Sequence, residues 1–322
     1  MANKLIVAPA PHVHGPESTQ KIMRDVILAL LPALAVSTWV FGWDVLRVTA
    51  IAIASCVAIE WLIQKFLVKG PSTLGNLSAV VTGLLLSFNL PASIPWWLVV
   101  IGSLVAIGIA KMSFGGLGKN PFNPALVGRV FLLIAYPVQM TTFPVVAKPG
   151  LDALSGATPL TVVKFGAAAD VVPMENLLLG MMPGSLGEVA ALALIVGFVY
   201  LLWRKVITWH IPVAVLGTMA IFAAIYGAFN FATPHLVLNF TLFHLLAGGA
   251  ILGAVYMATD YATSPMTTKG MLIYGVGIGV ITMSIRLWGA YPEGMSFAIL
   301  MMNAVTPLLN KYIKPKRFGL KK

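Results

Sequence analysis

Three groups of residues in this 322-residue chain have types and spacings that could do chemistry. The first is Asp152-Ala153-Leu154-Ser155-Gly156-Ala157-Thr158-Pro159-Leu160. Small residues on both sides of Thr158 are expected to leave its hydroxyl accessible, Gly156 permits a tight turn, and Pro159 is expected to keep a helix from enclosing the threonine. An accessible hydroxyl is what a modifying enzyme needs, and a plain surface loop would carry the same residues. The second group is a pair of Gly/Pro/Asn-broken stretches, Gly115 to Pro124 and Thr259 to Pro265, within otherwise apolar sequence. Such breaks are where a membrane protein houses a cofactor or substrate, because freed backbone groups need protein or a polar cavity beside them; ordinary turn chemistry at a loop accounts for them equally. The third is the sparse set of ionisable residues in or beside apolar runs: Asp25, Glu60, Arg129, Asp260 and Arg286. These are functional candidates by default, although a carboxylate such as Glu60, close to a span end, is read as reaching the interface. Arg129, one to two turns inside its span, calls for a carboxylate, a backbone carbonyl or a cofactor phosphate.

Other chemistries are excluded. A single cysteine, Cys56, cannot build a Cys₄ iron–sulfur cluster, a Cys-rich zinc site or an internal disulfide. His210, His235 and His244 are too scattered to define a metal site, so no metal is expected.

The elements that position these residues must be membrane helices. Apolar residues make up 59% and charged residues 10%, against about 45–50% and about 25% in soluble proteins. At about 20 residues per crossing, the chain reads as an all-α polytopic membrane protein with ten spans: 25–42, 46–64, 74–90, 94–113, 121–138, 187–204, 207–229, 238–258, 270–288 and 294–310. Residues 1–24 form an N-terminal tail without a signal-peptide core, 139–186 one long loop, and 311–322 a basic tail. The loop separates halves 25–138 and 187–310 of five spans each, and an odd number per half makes them inverted. Trp39, Trp43, Trp96 and Trp97 sit near span ends as interfacial anchors.

The net charge of +11 is a topology signal before it is anything else. Sixteen of the 21 lysines and arginines, Lys111 and Lys119 among them, fall in the tails and even-numbered loops. By the positive-inside rule both termini are cytoplasmic and loop 139–186 is external, so that a position such as Ser185 should be reachable from outside. No nucleic-acid partner is needed to explain the charge.

The segment Asp152-x-x-Ser155-Gly156-Ala157-Thr158 resembles the flavinylation signature of the RnfD/NqrB family, membrane subunits of the Rnf and sodium-pumping NADH:quinone reductase complexes. Gly115 to Ala125, Leu178 to Glu188, Tyr256 to Pro265, Ile285-Arg286 and Tyr291 to Gly294 are also similar to that family, over nearly all of Asp25 to Asn310. The short N-terminal tail and Ser-Gly-Ala-Thr-Pro-Leu resemble the Rnf branch more than the quinone-reductase branch. The resemblance implies a flavin-carrying subunit relaying electrons between ferredoxin and NAD pathways, coupled to Na⁺ or H⁺ movement, in the inner membrane of a bacterium or archaeon. It implies FMN joined by a phosphoester to Thr158, within the small-residue setting of Ser155, Gly156 and Ala157, by an external flavin transferase. Other subunits are implied as partners, including another covalently flavinylated one, alongside the lipid bilayer.

A second, non-covalent flavin such as riboflavin is associated in that family with asparagines matching Asn120 and Asn123. Their amides offer donors and acceptors to its pyrimidine edge, with Phe122 against the ring; capping and turn formation are the competing roles. Arg286 is a candidate partner for the flavin phosphate or for Glu293. No Gly-x-Gly-x-x-Gly follows a strand, so NAD is assigned to another subunit. Without the Thr158 segment, inverted halves with broken helices fit a secondary transporter of a small solute equally well.

Overall fold

The computed structural model describes residues 18–69, 73–144, 155–164, 173–188 and 191–314; Asp152 and most of both tails lie outside them. The described residues are helical, with one two-residue antiparallel pair among them, Phe143–Pro144 against Ser155–Gly156, at the base of the long loop. The helices α1 (Thr19–Phe41), α2 (Asp44–Leu62), α3 (Ser78–Phe88), α4 (Trp96–Leu104) and α5 (Pro124–Ala135) form the first half. The loop carries α6 (Pro137–Thr141), α7 (Pro159–Lys164) and α8 (Met174–Leu179). The second half consists of α9 (Ala191–Trp203), α10 (His210–Asn230), α11 (Pro234–Leu246), α12 (Ala250–Leu252), α13 (Thr268–Trp288) and α14 (Met295–Tyr312). Each expected span coincides with a helix or a bent pair. Among the described residues five helices are long and apolar enough to cross a membrane, α2 and α4 being counted with the π-helical and 3-10 turns that extend them to Val68 and Phe114; α11 with α12 and its π-helical extension makes a sixth bent by 57°, and α3, α5 and α9 are shorter.

Local chemistry sets the boundaries. Ser18 accepts the Lys21 N–H at 3.2 Å as an N-cap, so α1 begins six residues before the expected span and Lys21 and Arg24 belong to the helix, not the tail. Asn123 caps α5, accepting the Ala125 and Leu126 N–H groups at 3.1 and 3.4 Å, with Pro124 following at the position where a missing N–H costs nothing.

In the first half α2 packs on α3 and α4; in the second α10 packs on α11 and α13. Two seams join the halves: α1 against α9 and α5 against α14. At the first seam Gly197 lets α9 approach so closely that a Cβ there would collide with the Ala29 carbonyl and the Tyr256 hydroxyl. One large apolar core runs through both halves, with two smaller clusters beside it, whereas Trp39, Trp43, Trp203 and Phe229 are exposed, the pattern of a lipid-facing surface.

The third helix of each half is broken at depth. At about 1.5 Å per residue, α3 spans about 16 Å of a roughly 30 Å hydrocarbon layer, and nearly all of it is buried. Its freed Phe88 and Leu90 carbonyls accept the Gly187 and Leu186 N–H groups at 2.7 and 3.1 Å. The end of loop 139–186 folds inward, so Ser185 is not the reachable position expected: Met182, Ser185, Leu186 and Glu188 are buried, because the backbone of α3 needs donors there. In the second half α11 ends at Leu246 and the chain turns through Gly248 and Gly249, both at positive φ.

Candidate cofactor sites

Where α3 and α5 begin and where α9 and the π-helical extension of α12 end, a pocket opens between the halves, with about 790 Å³ of free space counted out into open solvent. Val81, Leu85, Ile207 and Val255 give it apolar walls; Asn120, Asn123, Lys111, Thr259, Asp260 and Tyr261 supply polar groups. Both broken stretches meet here. The asparagines are not free, however. Asn123 spends its oxygen on the α5 cap and donates Nδ2 to the Met257 carbonyl across the halves at 3.1 Å. Asn120 donates to the Phe122 carbonyl at 3.1 Å and also reaches Asp260. Capping and bridging are thus their roles in this structure, with their side chains on the cavity wall. Phe122 is not part of that wall, whose aromatic members are Tyr256 and Tyr261. Enclosure pushes the Asp260 carboxyl above the ordinary carboxylate range, while hydrogen bonds from Thr263, the Ala262 N–H and Asn120 pull it down.

Lys111 and Glu60 lie beside this cavity and correct the expectation for both. Neither reaches an interface: Lys111 Nζ and Glu60 Oε2 form an ion pair at 2.6 Å with both side chains nearly inaccessible. Lys111 also donates to Ser78 Oγ at 2.7 Å, and Glu60 Oε1 accepts from Thr73 at 3.0 Å and Gln64 at 3.3 Å. Low dielectric requires such a pair to be fully hydrogen-bonded. No local pattern in the sequence points to it.

Thr158 lies at the opposite ends of α5 and α9, and its hydroxyl is not accessible as expected. The side chain is buried, its Oγ1 accepts the Thr161 N–H at 3.3 Å and lies 2.9 Å from Thr161 Oγ1. The reason is Pro159, which starts α7 instead of preventing it: Thr-Pro is an N-cap followed by the favoured first helical residue. Ala157 is exposed and Gly156 half-buried. Lys164, at the far end of α7, donates to the Ile285 and Tyr291 carbonyls, and partial burial lowers its ammonium below the ordinary lysine value.

Arg286 holds the break after α11 through its two terminal nitrogens. Its guanidinium donates to the carbonyls of His244, Ala247 and Gly248 at 2.5, 2.8 and 3.0 Å, which are the groups that the helix end leaves unpaired. Leu160 packs against Gly248, so this clamp also supports the segment that carries Thr158. Glu293, the alternative partner expected for Arg286, pairs instead with Arg129, which also donates to Ser296. At the other seam Asp25 accepts from Arg204 and Tyr200. Among the described residues no group of three His, Cys, Asp or Glu could hold a metal ion.

A family model described as the NQR2, RnfD, RnfE family matches residues 6–319. The chain is 46% identical over 99% of its length, and 96% of the relative's, to the D subunit of the Na(+)-translocating ferredoxin:NAD(+) oxidoreductase complex of Acetobacterium woodii. It is 42% identical, over 99% of its length and 98% of the relative's, to the D subunit of the proton-translocating ferredoxin:NAD(+) oxidoreductase complex of Clostridium ljungdahlii. It is 36% identical, over 98% and 99%, to the D subunit of the ion-translocating oxidoreductase complex of Salmonella paratyphi A.

Proposed function

The chain belongs to the NQR2, RnfD, RnfE family, and on that footing we propose that it is the flavin-carrying membrane subunit of an Rnf-type complex. In this reading it relays electrons between ferredoxin and NAD pathways, coupled to ion movement, in the inner membrane with both termini cytoplasmic. The observation that carries the reading is the Ser155-Gly156-Ala157-Thr158 segment, held on a helix cap at the opposite end of the bundle from the pocket between the halves. Two relatives of similar identity bear names with different ions, Na⁺ and protons, so the ion is left as Na⁺ or H⁺.

Thr158 would supply the ester oxygen for FMN once released from its cap, with Gly156 and Ala157 giving a flavin transferase room to approach. The cavity wall would hold the second flavin, its apolar side chains excluding water and Asn120, Thr259 and Asp260 offering polar contacts. A flavin contributes the capacity to take one or two electrons. Partners in this reading are the other subunits, one of them also flavinylated. The test is denaturing electrophoresis under ultraviolet light, with mass spectrometry of the Thr158 peptide, on protein co-expressed with its flavin transferase. A fluorescent band lost in Thr158→Ala is expected; an unmodified Thr158 peptide in the parent refutes the assignment, and a flavin on Ser155 moves it.

A further inference from the structure

On the loop face, between the halves, lies a buried ionic cluster that the proposed function leaves without a role. Glu188 is 2% exposed. Its Oε2 accepts from the Ser185 N–H at 3.2 Å and from the Ser185 hydroxyl at 3.4 Å, while Oε1 has no partner. Electrostatically it faces Arg129 from α5, Arg286 from α13 and Glu293 from the turn before α14, and Arg286 in turn lies against His244 of α11. Of the seven buried side-chain polar atoms without a partner among the described residues, five are in this cluster: Glu188 Oε1, Arg129 Nε, Arg286 Nε and both ring nitrogens of His244. Isolated orphans are expected in any protein, but a concentration of them marks a place where water or an ion enters.

We propose that Glu188 is a proton-binding group, which takes up a proton from water on the loop face when an electron reaches the complex and releases it on reoxidation. The proposal rests on the chain working in an electron-transfer complex. Charge decides the occupant. With Glu188 ionised, two guanidinium and two carboxylate groups sum to zero; with Glu188 protonated the cluster gains one positive charge, which offsets one electron. The step balances as one electron added to the complex's acceptor and one proton added to the carboxylate. A bound metal cation would give the same net charge, but hard cations need about six oxygen ligands and here they would face two guanidinium groups. An anion would face Glu188 and Glu293. A proton needs only the free lone pairs of Oε1. The cluster adjoins the Thr158 segment through Arg286, Gly248 and Leu160, and Lys164 ties α7 to the same end of α13.

The test is reduced-minus-oxidised infrared difference spectroscopy on the purified, assembled complex in H₂O and D₂O. The parent should show a carboxylic-acid C=O band that shifts in D₂O, is lost in Glu188→Gln and is retained but displaced in Glu188→Asp. Absence of such a band in the parent, or its persistence unchanged in Glu188→Gln, overturns the proposal. If Glu188→Gln fails to assemble, an undisplaced band in Glu188→Asp does the same. Flavin fluorescence scored on the same preparations separates the two readings: a parent without it defeats the Thr158 assignment and leaves the band to judge Glu188.

Discussion

Replacing Lys111 by Met and Glu60 by Gln, singly and together, tests whether the pair beside the cavity behaves as a buried ion pair. Either single change strands a charge that is nearly inaccessible: Glu60 keeps Thr73 and Gln64 but loses its 2.6 Å cation, and Lys111 keeps only Ser78. Removing one partner of a buried pair costs about 3–5 kcal/mol, whereas replacing both with neutral groups of similar size is often neutral. The double variant should therefore lie within about 2 kcal/mol of the parent, which makes the coupling energy at least about 4 kcal/mol. Denaturant-induced unfolding in mixed detergent micelles, followed by tryptophan fluorescence, measures all four corners of the cycle. Costs that add to within about 0.5 kcal/mol, as for independent sites, would refute the pairing.

Gly197→Ala drives a methyl group into the Ala29 carbonyl and the Tyr256 hydroxyl and should cost about 1–3 kcal/mol, read as a lowered unfolding midpoint; parent-like stability would show that the first seam is looser than described. Asn123→Ala removes the α5 cap and should cost about 1 kcal/mol, while Asn123→Asp keeps the cap and loses the donor to Met257, so extractable flavin should fall more than stability does. Thr158→Ala should likewise cost about 1 kcal/mol through its cap and leave membrane insertion intact, checked by fractionation. For sidedness, Ala157→Cys in a Cys56→Ala background should react with an impermeant thiol reagent on intact cells and Lys69→Cys should not; the reverse would invert the topology.

The helices are legible because apolar runs bounded by Gly, Pro, Asn and Trp report directly on burial in lipid, and each such run holds a helix or a bent pair. What apolarity does not report is depth. The break at Ala247 to Gly249 lies within a run read as one span and that at Phe88 to Leu90 coincides with an expected span end, but neither sequence says how deep it lies; their carbonyls are satisfied by the backbone of 186–187 and by Arg286, donors supplied from elsewhere in the chain. Ser185 reads as part of an exposed loop for the same reason: a polar, Gly- and Pro-rich stretch looks like surface, yet this one folds inward to pair with a broken helix. At Thr158 the ambiguity is local, since Thr-Pro bars a helix before the proline and starts one after it.

The buried charges show why the topology and the site are unequally legible. The charge asymmetry is a bulk property: withdrawing the buried Lys111 and Arg286 leaves fifteen lysines and arginines in the tails and even-numbered loops against three in the odd-numbered loops, and the asymmetry stands. Each buried pair, by contrast, depends on two positions, 51 residues apart for Lys111 and Glu60 and 164 apart for Arg129 and Glu293. No window of sequence contains both partners. Hydropathy also scores a lysine identically whether it snorkels or is sealed beside a glutamate, because the free energy that distinguishes these states belongs to the pair. The residues whose chemistry matters most in a membrane interior are therefore those for which a local reading carries least information, and their partners appear only once the two halves are packed against each other.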